Sequence, residues 1–359
     1  MVPVPSTSVE SAPMMLDTDA GAKRASIAQP PSTLDVAADR AFRGLALALA
    51  WGAVLIVVAV VVEVQHVALP AMRAYGSGFM TGSVWDANRH SFGILPQIFG
   101  TLYTSIIGLV VGTIFGVAIA IFLSEGFLAT FVDRVLRSVG YAEHPWLAAL
   151  PTRVEAWLKT TLELLAAIPS VVYGLWGIFV VIPLVRPLAD WLNTHLGWMP
   201  FFGTTLSGPG ILPASLVLSI MVLPTISAIS RDALVAVPPK LREAAMGLGA
   251  TRWEAILGVI MPAAATGIFG SIILGFGRAL GETVALAMLA GNANVISWSL
   301  FSPCSTLAAL LANHFPEAGT IEVGALMYAA LVLLSITLLV NIVGAIILQR
   351  AEAGLRGLR

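Results

Sequence analysis

The sequence predicts an all-α integral membrane protein with six transmembrane helices and both termini on the cytoplasmic side. Three observations predict it. Of the 359 residues, 58% are hydrophobic and only 11% are charged, with a mean hydropathy of +0.90, whereas a soluble domain is about a quarter charged. Six apolar segments, near 44–66, 98–123, 162–185, 212–230, 263–290 and 323–348, are each long enough to cross a hydrocarbon core, which takes about 20 helical residues. Lys and Arg are placed asymmetrically between them. Fifteen of the 19 fall in segments that share a side with the N-terminus, three (Arg73, Arg89, Arg186) fall in the opposite loops, and Arg278 falls within a span. That bias puts the crowded side in the cytoplasm. Each span must be helical, because a lipid-exposed backbone has to satisfy its own hydrogen bonds.

Residues 1–41 are rich in Pro, Ser, Ala and Thr without apolar periodicity, and read as a disordered cytoplasmic tail. Asp17, Asp19, Asp35 and Asp39, scattered through it and its edge, argue against a signal peptide. Residues 42–97 hold the first span and an outer loop, 98–348 the core, and 349–359 a second cytoplasmic tail. A net charge of −1 carries no signal for nucleic acid; the solvent expected here is membrane lipid. One cysteine, Cys304, excludes an intramolecular disulfide and any multi-Cys metal site.

In the second span Gly108, Gly112 and Gly116 recur every four residues, so one helix face lets a neighbour approach closely. Segment 125–160 is different in character. Phe127, Phe131, Val135 and Leu136 recur at helical spacing among charges, as do Leu147, Leu150, Val154, Trp157 and Leu158. One or two amphipathic helices at the inner interface are expected. The third span holds Pro169 and Pro183, and the fourth Pro213 and Pro224, residues that bend helices.

The loop at 231–262 carries Glu243-Ala244-Ala245 in a helix-forming run, then Gly249, then Pro262. A short helix, a turn freed by glycine and a second helix are expected, with Pro262 at the start of the next membrane helix, where its missing N–H costs nothing. Arg242 and Glu243 are candidate salt-bridge partners for a docking protein. In the fifth span Arg278 and Glu282 are four residues apart, so both are expected on one helix face, with Gly277 and Gly281 flanking them. Charges at membrane depth normally face a bundle interior or a water-filled path. A guanidinium fork matches the oxygens of an oxyanion. Arg278 is therefore a candidate anion contact, and Glu282 the group that orients and neutralises it. No His/Asp/Glu cluster has metal-ligand spacing, no Ser-His-Asp or Cys-His arrangement recurs, and none of the three lysines follows a glycine as a nucleotide-binding P-loop requires. An enzyme reading has no support.

Arg242 to Pro262, REAAMGLGATRWEAILGVIMP, resembles the cytoplasmic coupling loop of ABC-importer permeases, with Val259 and Met261 replacing two family positions. Further blocks narrow the resemblance to phosphate ABC-importer permease subunits of the PstC type. They are VWD at 84–86, FGILPQIFGTLYTS at 92–105, ELLAAIPSVVYGLWG at 163–177, GRALGET at 277–283 with Gly291-Asn292, and LAALLANHFPEA at 307–318. The resemblance implies a type I ABC-importer permease core that moves inorganic phosphate by alternating access. It implies no cofactor on this chain, with ATP bound by a partner. The partners it implies are a sister permease subunit in a heterodimer, a dimer of ATP-binding subunits, and an extracytoplasmic phosphate-binding protein. Arg242, Glu243, Ala244, Ala245 and Gly249 would dock the ATPase; Arg278 and Glu282 would line the substrate path. The segment 125–160 looks longer than the family pattern. A permease for another oxyanion, such as sulfate or molybdate, shares the coupling loop; an ion-driven transporter, a channel or a membrane scaffold would not need it.

Overall fold

The computed structural model describes residues 33–138 and 150–356. By internal packing the chain divides at residue 60 into two units. Within the first, the described residues form the start of helix α1 (Thr33–Tyr75). Residues 33–41, expected as part of a disordered tail, are helical: Ala37, Ala38 and Arg40 favour helix, and Asp39 pairs with Arg43 one turn on at 3.5 Å. The rest of that expected tail, residues 1–32, lies outside the described residues. Up to Val60 the large apolar side chains of α1 are exposed all around the helix, as suits a helix whose solvent is lipid.

In the second unit, α1 runs on to Tyr75. The short helix α2 (Gly78–Thr81) and an antiparallel pair of two-residue strands, β1 (Trp85–Asp86) and β2 (Ser91–Phe92), follow. Trp85 Nε1 donates to Glu322 at 3.0 Å, which ties this hairpin to the last long helix. Helix α3 (Leu95–Ser124) then lies against α8 (Ile211–Val235). The glycine face is the reason they meet so closely. A Cβ at Gly112 would sit 2.6 Å from Val222 Cγ2 and 3.0 Å from the Ser219 carbonyl, and one at Gly116 would sit 2.9 Å from Ile226. Gly112→Val should therefore cost about 1–3 kcal/mol through overpacking. A lowered melting temperature of the detergent-solubilised protein would show it, and an unchanged one would mean that the interface gives way easily.

Segment 125–160 forms two helices, α4 (Phe127–Ser138) and the first part of α5 (Leu150–Ala167), with 139–149 outside the described residues. The third span is displaced from its expected place at 162–185. Pro169 has no N–H and pushes Ile168 out of the helical region, so α5 stops at Ala167. The helix long enough to span runs instead over Ser170–Leu196, as α6 (Ser170–Trp176), a π-turn (Gly177–Val181) and α7 (Ile182–Leu196). Arg186, expected in an outer loop, sits on α7 and donates to the Ser207 carbonyl at 3.1 Å.

The fifth span is also redrawn. Helix α10 (Arg252–Ala255) continues through a π-turn (Ile256–Ile260) into α11 (Met261–Leu280), then breaks before the short α12 (Val284–Leu289). Pro262 thus lies inside a continuous helical run and not at its start. The π-turn explains how: it widens the turn before the proline, which relieves the clash and absorbs the missing hydrogen bond. The same device precedes Pro183, again two residues after the π-turn ends. After α12, residues 291–306 return along the core to α13 (Leu307–His314), and α14 (Thr320–Arg356) closes the chain. A Cβ at Gly100 would lie 2.1 Å from the Ser305 carbonyl, so this return depends on a glycine in α3. Burial pushes the Cys304 thiol up to about 12, so it packs as a small apolar group. Among the described residues six helices are long and apolar enough to cross a membrane, and the protein is a multi-pass membrane protein.

Candidate functional site

The helix–turn–helix expected at 231–262 is present, and it is rigid for local reasons. Pro239 opens α9 (Pro239–Gly247), a position where a proline loses nothing. Past its end Gly249 takes φ +89°, the Ala250 N–H returns to the Ala245 carbonyl and the Gly249 N–H to that of Met246. That is a Schellman termination, and it requires a residue free of Cβ strain. Two residues later Thr251 caps α10. Its hydroxyl accepts from the Glu254 N–H, and the Glu254 carboxylate accepts from the Thr251 N–H at 2.8 Å. This reciprocal pattern was written in the sequence as Thr251-x-x-Glu254. Ala245 is buried, while Glu243, Ala244 and Gly249 are exposed, and Leu248 stands out at the tip with 91% of its surface accessible.

Arg242 faces the other way. Its guanidinium donates to Glu125 Oε1 at 2.5 Å, and the Glu125 side chain is only 2% exposed. Arg252 donates to the Glu125 main-chain carbonyl and lies 4.6 Å over the Phe127 ring, which stacks on Trp253 at 5.0 Å. Two arginines of the loop thus grip the residue that ends α3. Glu125 escaped sequence reasoning because nothing local marks it. The only hint was an acid directly after an uncharged span.

Arg278 occupies the last turn of α11, as expected, but Glu282 does not share its face. Gly281 ends the helix, and Glu282 lies in the Gly281–Thr283 break. There its carboxylate accepts the Ala285 N–H at 3.4 Å and so serves the start of α12. Among the described residues Arg278 forms no ion pair, and its side chain is exposed. Tyr173, on α6, donates to the Leu165 carbonyl at 2.7 Å. A Cβ at Gly277 would be 3.4 Å from Asn341 Oδ1, so the glycine lets this amide of α14 pack against α11. The result is a guanidinium at a helix break with, among the described residues, no carboxylate bonded to it.

The chain matches the family described as binding-protein-dependent transport system inner membrane component over residues 145–356. It is 37% identical to the phosphate transport system permease protein PstC of Haemophilus influenzae, over 79% of this chain and 84% of that one. It is 36% identical to PstC of Pasteurella multocida, over 83% and 88%. It is 34% identical to the probable PstC of Methanocaldococcus jannaschii, over 79% and 85%. Members of this family are membrane subunits that work with ATP-binding and substrate-binding partners. By this family match and by the length and identity over which it follows these relatives, the chain belongs to the binding-protein-dependent permease family of ABC importers, among the PstC-type phosphate transport permeases.

Proposed function

We propose that this chain forms half of the pore of an ATP-driven importer and passes inorganic phosphate into the cytoplasm by alternating access. The observation that carries this reading is Arg278, an exposed guanidinium with no carboxylate bonded to it, held at the α11–α12 break of a chain whose relatives are named for phosphate transport. A fixed cation in the membrane needs an anion on at least part of the cycle, and a phosphate oxyanion fits its fork. Phosphate would arrive from an extracytoplasmic phosphate-binding protein, with a sister permease supplying the other half of the pore. The Lys and Arg distribution puts both termini and the 231–262 loop on the cytoplasmic side. Ala244, Ala245 and Gly249 shape a loop whose tip, Leu248, enters a groove of the ATP-binding subunit, while Glu243 offers it a charge. Arg242 contributes indirectly, by holding α9 to Glu125. ATP binds the partner dimer, and this chain carries no cofactor.

Two measurements test the proposal. In vesicles, uptake of labelled phosphate should require ATP and be suppressed by unlabelled phosphate but not by sulfate or molybdate. Equal competition by those anions would assign another cargo, and uptake without ATP would remove the coupling reading altogether. Gly249→Val forces a β-branched residue into a positive-φ turn at about 1–3 kcal/mol. Combined with Glu243→Lys, it should cut co-purification of the ATP-binding subunit about tenfold or more. Recovery of the intact complex from this double variant would place the docking surface elsewhere.

A further inference from the structure

A cavity of about 560 Å³ opens beside the coupling loop, and no part of the proposed transport cycle uses it. Its floor is the end of α3, with Ala118 and Phe122; its walls are Phe131 and Arg134 of α4, and Arg252 and Trp253 of α10. Three aromatic rings stand open to it: Phe122 is 39% exposed, Phe131 62% and Trp253 57%. A tryptophan such as Trp253 belongs where hydrocarbon meets water, and the two phenylalanines offer a purely apolar wall on its hydrocarbon side. The depth agrees. A 30-residue helix such as α3 is about 45 Å long, against about 30 Å of hydrocarbon. Ala118, about 9 Å from the helix end, therefore lies just inside the hydrocarbon edge, while Arg134 and Arg252 lie at the headgroup level.

The charge of the cavity is the second argument. Of the acids nearby, Glu125 is buried and bonded to Arg242, Glu254 is committed to capping with Thr251, and Asp133 is itself engaged. Among the described residues the lining holds two guanidiniums, Arg134 and Arg252, and no carboxylate. Arg252 is held by the Glu125 carbonyl and the Phe127 face, which fixes its position without cancelling its charge. An apolar trough reaching into the hydrocarbon, with fixed cations at its polar end, has the chemistry of an acyl chain joined to a phosphodiester.

We propose that this cavity binds an anionic phospholipid of the inner leaflet, its acyl chain along Phe122 and Phe131 and its phosphate between Arg134 and Arg252. The leaflet follows from the orientation given above for the coupling loop. An ATP-binding subunit, being outside the membrane, does not reach the floor at Ala118. Because Arg252 and Trp253 belong to the loop that carries the power stroke, the lipid would brace the loop against α4, and transport would depend on anionic lipid.

The test uses the purified transporter complex and phosphatidylglycerol as probe. Native mass spectrometry should show phosphatidylglycerol retained by the wild type and about fivefold weaker retention in Arg134→Gln, the loss expected for one basic residue at the interface. Phe131→Ser should weaken retention independently, through the acyl chain. A photo-crosslinking residue placed at position 131 should label lipid. Wild-type retention in both variants, or labelling of the sister subunit in place of lipid, would overturn the assignment. These readouts register binding and not flux, so they stand apart from failure of the phosphate or docking readings. In vesicles, phosphatidylglycerol should accelerate uptake by the wild type and not by Arg134→Gln. Equal acceleration of the two would sever the site from transport.

Discussion

Arg278→Gln should reduce phosphate uptake by about a hundredfold while the complex assembles and binds ATP normally. The scale follows from removing a charge-assisted hydrogen bond to an anion away from bulk water, about 1.5–3 kcal/mol with more in a dry site. Glutamine keeps a donor and most of the volume but loses the charge and the fork. Arg278→Lys should be intermediate, because an ammonium keeps the charge without the bidentate geometry. Glu282→Gln is the informative companion. Had the two residues shared a helix face, its effect would match that of Arg278→Gln. With Gly281 ending α11 and the carboxylate turned to the Ala285 N–H, a glutamine oxygen can still accept that bond. Uptake by Glu282→Gln should therefore fall far less than by Arg278→Gln. Wild-type uptake in Arg278→Gln would make the cation a packing element, and equal losses in both variants would show that the two side chains meet elsewhere in the cycle.

Glu125→Ala should be the most damaging single change outside the α11–α12 break. It leaves the Arg242 guanidinium partly buried without its anion, at about 1.5–3 kcal/mol for a hydrogen bond between charged groups. The Arg252 bond to the main-chain carbonyl survives, so the loop stays tethered at one point and is released at the other. The ATP-binding subunit should still co-purify, because the exposed tip around Leu248 is untouched. Phosphate imported per ATP hydrolysed should drop about tenfold, the equivalent of roughly 1.4 kcal/mol, since the stroke then reaches α3 through one tether in place of two. Glu125→Gln, which can still accept a hydrogen bond, should fall between. An unchanged transport-to-hydrolysis ratio in Glu125→Ala would make the Glu125–Arg242 contact passive.

Much of the architecture was legible because it rests on local or periodic signals. Long apolar runs gave the number of spanning helices found among the described residues and the place of four of them, and the glycine triplet of α3 foretold the close packing found against α8. The turn at Gly249 was legible for the same kind of reason: a glycine after a helix-forming run, followed by a cap. What misled was the assumption that an apolar run is one helix. Hydropathy sums side chains and does not register a proline that ends a backbone ladder. So 162–185 concealed the break at Ile168–Pro169, and 263–290 concealed the break at Gly281–Thr283. The expectation that Arg278 and Glu282 share a face inherited that error. The long 125–160 segment announced amphipathic helices but not that α4 would form one side of a cavity with α10.

By itself the sequence determined the solvent, the number of apolar spans and the helix–turn–helix around Gly249, since apolar content, helix propensity and a turn glycine depend on composition and near neighbours. Only the tertiary structure decided the partner of each charge. Glu125 and Arg242 are 117 residues apart and meet because α3 and α8 pack along their length, which brings the end of one helix beside the loop that follows the other. Among the described residues Arg278 is left without a bonded carboxylate because a backbone break takes Glu282 out of α11. In a low-dielectric protein the energy of a charge is set by what lies within a few ångströms of it in space, and chain spacing alone does not say what that is.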